Sequence, residues 1–286
     1  MSTLVPQPLK WHGGKNYLAA NIIELFPPRC RTPNKPAPGD SGWLHYVEPY
    51  AGGLAVLLAN DPEGISEVVN DRNEQLTNFW RVLQQPAQFE IFLRLCEATP
   101  LSELEYRRAS AELPDPRDEP VQAAWAFFVR CRQSLAGRMK GFTGVTKTRT
   151  RRGMNNDVSA WLTAVEGLPQ VHARLKRVLI LNRPALEVLR GHDGPHTLFY
   201  LDPPYVHETR ATTGEYDHEM TAEEHRALLT VLSELKGRFL LSGYRSALYD
   251  DVAAERGWRR HDFELPNQAA SGPKKRRMVE CVWTNI

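Results

Sequence analysis

The sequence predicts an α/β protein built on a mostly parallel sheet, and three observations carry that reading. Short apolar runs that end in an acid recur at Tyr46-Val47-Glu48, Val68-Val69-Asn70-Asp71 and Leu198-Phe199-Tyr200-Leu201-Asp202. Each leads through a turn or loop into helical apolar spacing, which is the rhythm of βα units. That rhythm breaks once, from Pro86 to about Ala164, and the chain closes on a pair of strand-like runs, Arg260 to Leu265 and Met278 to Thr284.

A chain of 286 residues with 42% hydrophobic and 24% charged content can bury a large core, as one large or two modest domains. The net charge of +2 says little, because its distribution matters more. Cys30, Cys96, Cys131 and Cys281 lie far apart without CxxC spacing, so neither a zinc ribbon nor a disulfide framework is expected. Reduced thiols in a cytosolic protein, with no metal, are the expectation. No basic-then-apolar segment opens the chain, and no run approaches the roughly 18 apolar residues of a membrane span. Neither export nor membrane insertion is predicted.

Taken in order, Leu9-Lys10-Trp11-His12-Gly13-Gly14-Lys15 precedes a helix expected over Tyr17 to Phe26, which Pro27 and Pro28 end. Glycines before a helix let backbone N–H groups approach an anion. The GxxxxGK[ST] frame of a P-loop is missing, however, and the pattern is also that of a plain loop. Arg31 to Gly42, rich in proline and polar residues, reads as a surface loop. His45 to Glu48 is then a strand, Pro49-Tyr50-Ala51-Gly52-Gly53 a turn, and Ala55 to Ala59 a helix, an arrangement that binds nucleosides. Without the full GxGxxG pattern, a cofactor lacking a pyrophosphate is favoured. A second short strand, Glu67 to Asp71, ends in an acid at the distance where a carboxylate accepts ribose hydroxyls. The competing reading is that Asp71 caps the helix starting near Asn73. Phe79, Trp80, Val82 and Leu83 look like core.

Helices are expected at Phe89 to Ala98, Leu101 to Leu113 and Val121 to Arg132. The stretch from Arg130 to Arg152 then carries Arg130, Arg132, Arg138, Lys140, Lys147, Arg149, Arg151 and Arg152 with no Asp or Glu. Such one-signed charge is the footprint of a phosphate-binding surface, or else a solvated loop. Gly137, Gly141, Thr143 and Gly144 suggest a hairpin or flexible loop that could enter a groove.

The βα rhythm resumes with a strand at Arg177 to Asn182 and a short helix at Pro184 to Arg190. Leu198 to Leu201 runs into Asp202-Pro203-Pro204-Tyr205, where two prolines remove ladder donors and stop a buried strand. The carboxylate therefore sits at a strand's carboxyl end, where open α/β sheets bind ligands. An exocyclic amine on a nucleobase suits this group. It can donate to Asp202 and to the fixed carbonyl of Pro203, keep its lone pair for an electrophile, and let Tyr205 stack on the ring. A proline-rich turn after a core strand is the plain alternative. His207 to His218 reads as a lid, Thr221 and Glu224 as a capping box for a helix reaching Lys236, Arg238 to Tyr244 as a strand and Ala247 to Arg256 as a helix. Asn267 to Arg277, with Lys274, Lys275 and Arg276, is a second basic loop.

These residues together resemble the Dam-like adenine-N6 DNA methyltransferases, over nearly the whole chain and in that family's order. Lys10-Trp11-x-Gly-Gly-Lys15 comes first, then Glu48-Pro49-Tyr50-x-Gly52, Asn70-Asp71, a recognition insert, and Asp202-Pro203-Pro204-Tyr205. The resemblance implies a Rossmann-like methyltransferase sheet, mostly parallel with its last strand antiparallel, and an inserted, mainly helical DNA-recognition domain. It divides the chain into 1–85 and 165–286 for catalysis and 86–164 for recognition. It implies S-adenosyl-L-methionine as cofactor, held by Trp11, Lys15, Glu48, Tyr50, Gly52, Asp71 and Asp202. Lys15 would lie near the methionine carboxylate and Asp71 on the ribose. Asp202, Pro203, Pro204 and Tyr205 would be catalytic, attack by adenine N6 being direct and in line. Double-stranded DNA would meet Lys10, Arg149, Arg151, Arg152, Lys274, Lys275 and Arg276 through its phosphates. Arg132, Gln133 and Arg138 lie where the family's recognition hairpin begins and suit base edges, unless Arg132 and Gln133 merely finish a helix and salt-bridge the catalytic domain. Gly52-Gly53-Leu54 lacks a later glycine seen in many members, and His12 stands where a small residue is common.

Cytosine N4 or a glutamine side chain can occupy the same pocket, and the basic insert favours nucleic acid over protein. A DNA-binding protein with a vestigial pocket is the reading from another class, and the intact cofactor residues argue against it. The setting expected is a cytoplasmic, prokaryotic or phage-encoded enzyme, with a restriction endonuclease of the same system as the further partner to look for.

Overall fold

The computed structural model describes residues 5–11, 13–31, 36–37, 39–111, 113–143, 146–205, 220–266 and 277–286. The expected lid and most of the late basic loop, including Lys274, Lys275 and Arg276, lie outside the described residues. In chain order the first elements are α1 (Ala19–Glu24), β1 (His45–Glu48), α2 (Ala55–Ala59), β2 (Ser66–Asn70), α3 (Glu74–Gln84) and α4 (Pro86–Ala98). Then come α5 (Glu103–Ala111), α6 (Pro120–Arg132), a 3-10 turn (Leu135–Gly137), β3 (Thr150–Arg151), β4 (Met154–Asn155), α7 (Asn156–Glu166) and α8 (Leu168–Leu175). The rest are β5 (Val178–Leu181), α9 (Ala185–His192), β6 (Thr197–Leu201), α10 (Ala222–Glu234), β7 (Arg238–Tyr244), α11 (Ala247–Arg256), β8 (Arg259–Pro266) and β9 (Arg277–Thr284).

One seven-stranded sheet has the order β5-β2-β1-β6-β7-β9-β8. β1 pairs in parallel with β2 and β6, and β6 with β7, whereas β9 runs antiparallel to both β7 and β8. This is the mostly parallel sheet with an antiparallel last strand that the sequence led us to expect. All five residues of β6 are buried, as an apolar run covered on both faces requires. Among the described residues no helix is long and apolar enough to cross a membrane. All four cysteines are buried and unbridged.

The chain forms two compact units. The first comprises Met1–Leu25, Gly52–Glu63 and Asp71–Asn182, and so contains all of the expected insert, 86–164. Its centre is α6, started by Pro120 at a helical position where the missing N–H costs nothing. Phe79 of α3 stacks on Phe128 of α6 at 5.8 Å and meets Phe92 of α4 edge-on at 5.9 Å. Each such ring contributes roughly 1.5–3 kcal/mol of burial. Two helices, α7 and α8, follow the basic stretch, where the sequence pattern predicts no element. Asn155 caps α7 by accepting from the Asp157 and Val158 N–H groups, and Trp161 anchors it by donating to the Thr99 carbonyl at 2.8 Å.

The second unit comprises Phe26–Ala51, Gly64–Asn70 and Arg183–Ile286 and holds most of the sheet. The capping box read from Thr221 and Glu224 is present at the start of α10, with both reciprocal bonds made. Ser246 caps α11 by accepting from the Tyr249 N–H at 3.3 Å.

Candidate active site

In the second unit, three neighbouring parallel strands, β2, β1 and β6, end at one edge with Asn70, Glu48 and Leu201. Glu48 is 1% exposed and accepts the Tyr46 hydroxyl at 2.7 Å. Burial, reinforced by that carboxylate, raises the Tyr46 phenol well above its ordinary range. Asn70 fastens the turn that follows β1. Its amide donates to the Pro49 carbonyl at 2.9 Å and the Arg183 carbonyl at 3.0 Å, and it accepts from the Arg183 N–H.

Asp202 follows β6 directly, with Pro203 buried behind it. The Tyr205 hydroxyl lies 3.2 Å from Asp202 Oδ1 and also bonds Glu280 Oε1. Its ring meets Tyr244 edge-on, with centroids 4.6 Å apart. Burial first, then the negative neighbours Asp202 and Glu280, raise the Tyr205 phenol well above its ordinary range, so it stays protonated and can donate. Tyr249, bonded through its hydroxyl to His225 Nδ1 at 2.8 Å, is likewise raised by burial, with Tyr50 and Asp202 adding to the effect.

The first unit holds the remaining cofactor candidates. The Trp11 indole lies over the glycine turn so closely that a Cβ on Gly52 would stand 2.8 Å from Trp11 Nε1, and one on Gly53 2.8 Å from Trp11 Cβ. Gly52 also has φ +47°, a left-handed value that favours glycine. Asp71 binds this turn to the start of α3, since its carboxylate accepts the Gly52 N–H at 2.9 Å and the Asn73 N–H at 3.0 Å. The cap of α3 is Asn73, which accepts from the Leu76 N–H, so Asp71 supports the helix start without capping it. Lys15 is buried and donates to the Gly13 carbonyl at 2.9 Å. The helix expected from Tyr17 begins only at Ala19, so what Gly13-Gly14-Lys15 offers an anion is the lysine charge and not a helix terminus. These groups fit a nucleoside carrying an amino-acid tail. Asp71 has acceptor capacity for about four hydrogen bonds, which makes anchoring the turn compatible with holding ribose hydroxyls, and a buried ammonium suits a carboxylate.

The expected DNA contacts divide. Gln133 was expected to read base edges, and the structure corrects this. It is fully buried, its side-chain oxygen accepting the Ser102 N–H at 3.2 Å and its amide donating to the Pro100 carbonyl at 3.0 Å. Arg132 is corrected with it, for the guanidinium turns inward to the Ala160 carbonyl at 2.6 Å and burial lowers its pKa. Both finish α6 and brace the helices, as the competing reading had it, and no salt bridge from either appears among the described residues. Arg138, Arg149 and Arg151 are exposed. Arg152 is exposed too, but is engaged by Glu166 in two bonds of 2.9 Å. The Lys10 side chain is half-buried and its pKa is lowered, first by burial and then by Arg132. Gly137, at φ +72°, passes so near that a Cβ there would stand 1.6 Å from the Lys10 carbonyl oxygen. Glu280 was not foreseen at all, although a single acid inside Met-Val-Glu-Cys-Val-Trp was a visible signal.

Such a sheet, ending an Asp-Pro-Pro-Tyr strand beside two acid- and amide-tipped neighbours, defines an α/β methyltransferase. The profile of the D12 class N6 adenine-specific DNA methyltransferases matches residues 11–262, and the chain belongs to that family. It is therefore an adenine-N6 DNA methyltransferase, which sets aside cytosine N4 and glutamine as targets. Methyltransferases of this kind use S-adenosylmethionine. Among solved structures the chain is similar to a proposed RNA methyltransferase from Pyrococcus horikoshii, at 9% identity and a TM-score of 0.33 over 94% of this chain and 96% of that one. A likeness so distant bears no further argument. No curated protein matches the chain significantly.

Proposed function

We propose that the chain methylates N6 of an adenine swung out of duplex DNA, with Asp202 and the Pro203 carbonyl as acceptors of the two amine protons. The observation that carries this reading is the common edge at which β2, β1 and β6 end, with Asp202 as the next residue of the chain after β6. Trp11, Lys15, Tyr50, Gly52 and Asp71 would hold S-adenosyl-L-methionine, with Glu48 shaping the turn beside it. The bound cofactor supplies an electrophilic sulfonium methyl group. The protein's own part is orientation and charge: Asp202 and Pro203 fix the amine, leave its lone pair free, and stabilise positive charge developing on nitrogen. Asp202 then receives the proton that the methylated amine must lose. Swinging the base out costs a few kcal/mol, offset by stacking on Tyr205 and by phosphate contacts from Lys10, Arg149, Arg151 and Arg152, while Arg138 is left to read a base edge.

Single-turnover methyl transfer to duplex DNA, followed by mapping of the modified bases, tests the reading. N6-methyladenine at a defined sequence is the expected product, lost with Asp202→Ala. Undiminished transfer by Asp202→Ala would remove Asp202 from the chemistry.

A further inference from the structure

Tyr205 has one hydroxyl proton, yet its oxygen lies against two carboxylates, Asp202 and Glu280. It can donate to only one of them at a time. The choice matters, because a proton bond from Tyr205 to Asp202 Oδ1 engages the acceptor that a substrate amine needs. Glu280 is 2% exposed, and the direction of β9 is what brings it here: antiparallel pairing sets Glu280 opposite Tyr244, the last residue of β7. Tyr244 in turn meets the Tyr205 ring edge-on. Phenol, ring and carboxylate are thus fixed from three directions. Burying a carboxylate is costly unless it gains hydrogen-bond partners, and Tyr205 is one of them.

Building on the proposed role of Asp202, we infer that Glu280 is a positioning residue for methyl transfer. It draws the Tyr205 proton to itself and so keeps that proton off Asp202 Oδ1, while holding the Tyr205 ring at the angle set by Tyr244. An amide in place of the carboxylate reverses the arrangement. The glutamine NH2 donates to the Tyr205 oxygen, and the phenol proton turns to Asp202.

The test is a double-mutant cycle on Glu280→Gln and Tyr205→Phe, with kcat and the KM for a duplex substrate measured on folded proteins of verified melting temperature. Glu280→Gln should lower kcat about tenfold, the scale of one hydrogen bond, and leave the KM for DNA within about twofold. In the Tyr205→Phe background the same substitution should change kcat by less than about twofold, because the competing donor is gone. An equal loss in both backgrounds, no loss in either, or a change confined to KM overturns the inference. If Glu280→Gln does not fold, Glu280→Asp replaces it. Its withdrawn carboxylate should again cost kcat only where Tyr205 is present, and a loss independent of Tyr205 again overturns the idea. Asp202→Ala, run alongside, separates the two levels. Activity there defeats the underlying reading, whereas an inactive Asp202→Ala with an additive cycle defeats only the role of Glu280.

Discussion

Asp71 and Asp202 each follow a buried strand, but they are held in different ways. Asp71 accepts backbone N–H groups of Gly52 and Asn73, beside glycines against which an indole is packed. Asp202 meets a phenol that also meets a buried glutamate and a second tyrosine. The first cluster is shaped by main chain, so its geometry is as rigid as the fold and leaves no room for an added methyl group. The second is shaped by side chains and by the number of protons among them, so isosteric substitutions can alter it without disturbing the sheet. If the proposed roles hold, binding shape and reactivity should therefore be separable by mutation in this protein.

The largest expected effect is at Asp202. Asp202→Ala should cut single-turnover methyl transfer by about a thousandfold, the scale of losing one preorganised charge-stabilising group, while Asp202→Asn keeps a measurable remnant through its amide oxygen. Melting temperatures near wild type in both would confirm that this cluster is editable, and a collapse of the fold would contradict it.

Gly137→Ala, at another close main-chain approach in the first unit, should act on stability instead. A Cβ so close to the Lys10 carbonyl, at a left-handed φ, should cost on the order of 3 kcal/mol or prevent folding, as denaturant titration would show. A loss below about 0.5 kcal/mol would mean that the backbone at Gly137 and Lys10 yields to an added methyl group.

Asp71→Ala should have a mixed and smaller effect. Leaving the Gly52 and Asn73 N–H groups without their acceptor should cost about 1–3 kcal/mol of stability. Calorimetry should also show weaker S-adenosylmethionine binding, as it should for Lys15→Ala. Unchanged affinity in both variants would locate the cofactor elsewhere.

The smallest effect separates exposed from buried candidates in the insert. Replacing Arg149 and Arg151 together should weaken binding to all duplexes alike and flatten the salt dependence by about 1.8 in log–log slope, about 0.9 for each phosphate contact. Gln133→Ala should lower stability and leave the preferred methylation site unchanged. A shifted site preference on randomised duplexes would return Gln133 to the recognition surface.

How far the sequence could be read follows the same division. Strands that end in an acid advertise themselves, because apolar runs and stop signals are local, so β1, β2, β6 and their terminal residues were legible. The pairing of Asp71 with Gly52 was not, since it depends on how close two turns approach. Arg132 and Gln133 were misread because their neighbours are basic, while their own orientation is set by the helical phase of α6, which turns them inward. α7 was hidden by the same charge bias, its cap Asn155 and anchor Trp161 lying just beyond the basic residues. Glu280 escaped notice because its partner Tyr205 is remote in sequence and the two meet only through the register of β9 against β7.

The direction of that last strand also has a practical meaning for tagging and immobilisation. β9 enters the sheet near Tyr244 and leaves beside Leu240, where Asn285 is stapled by the Phe239 N–H at 2.9 Å and the Gly237 carbonyl at 3.0 Å. A peptide handle joined after Ile286 therefore starts from a fastened anchor at the edge of the sheet opposite Asp202. An enzyme held on a surface through a handle after Ile286 should therefore keep the turnover of the free one.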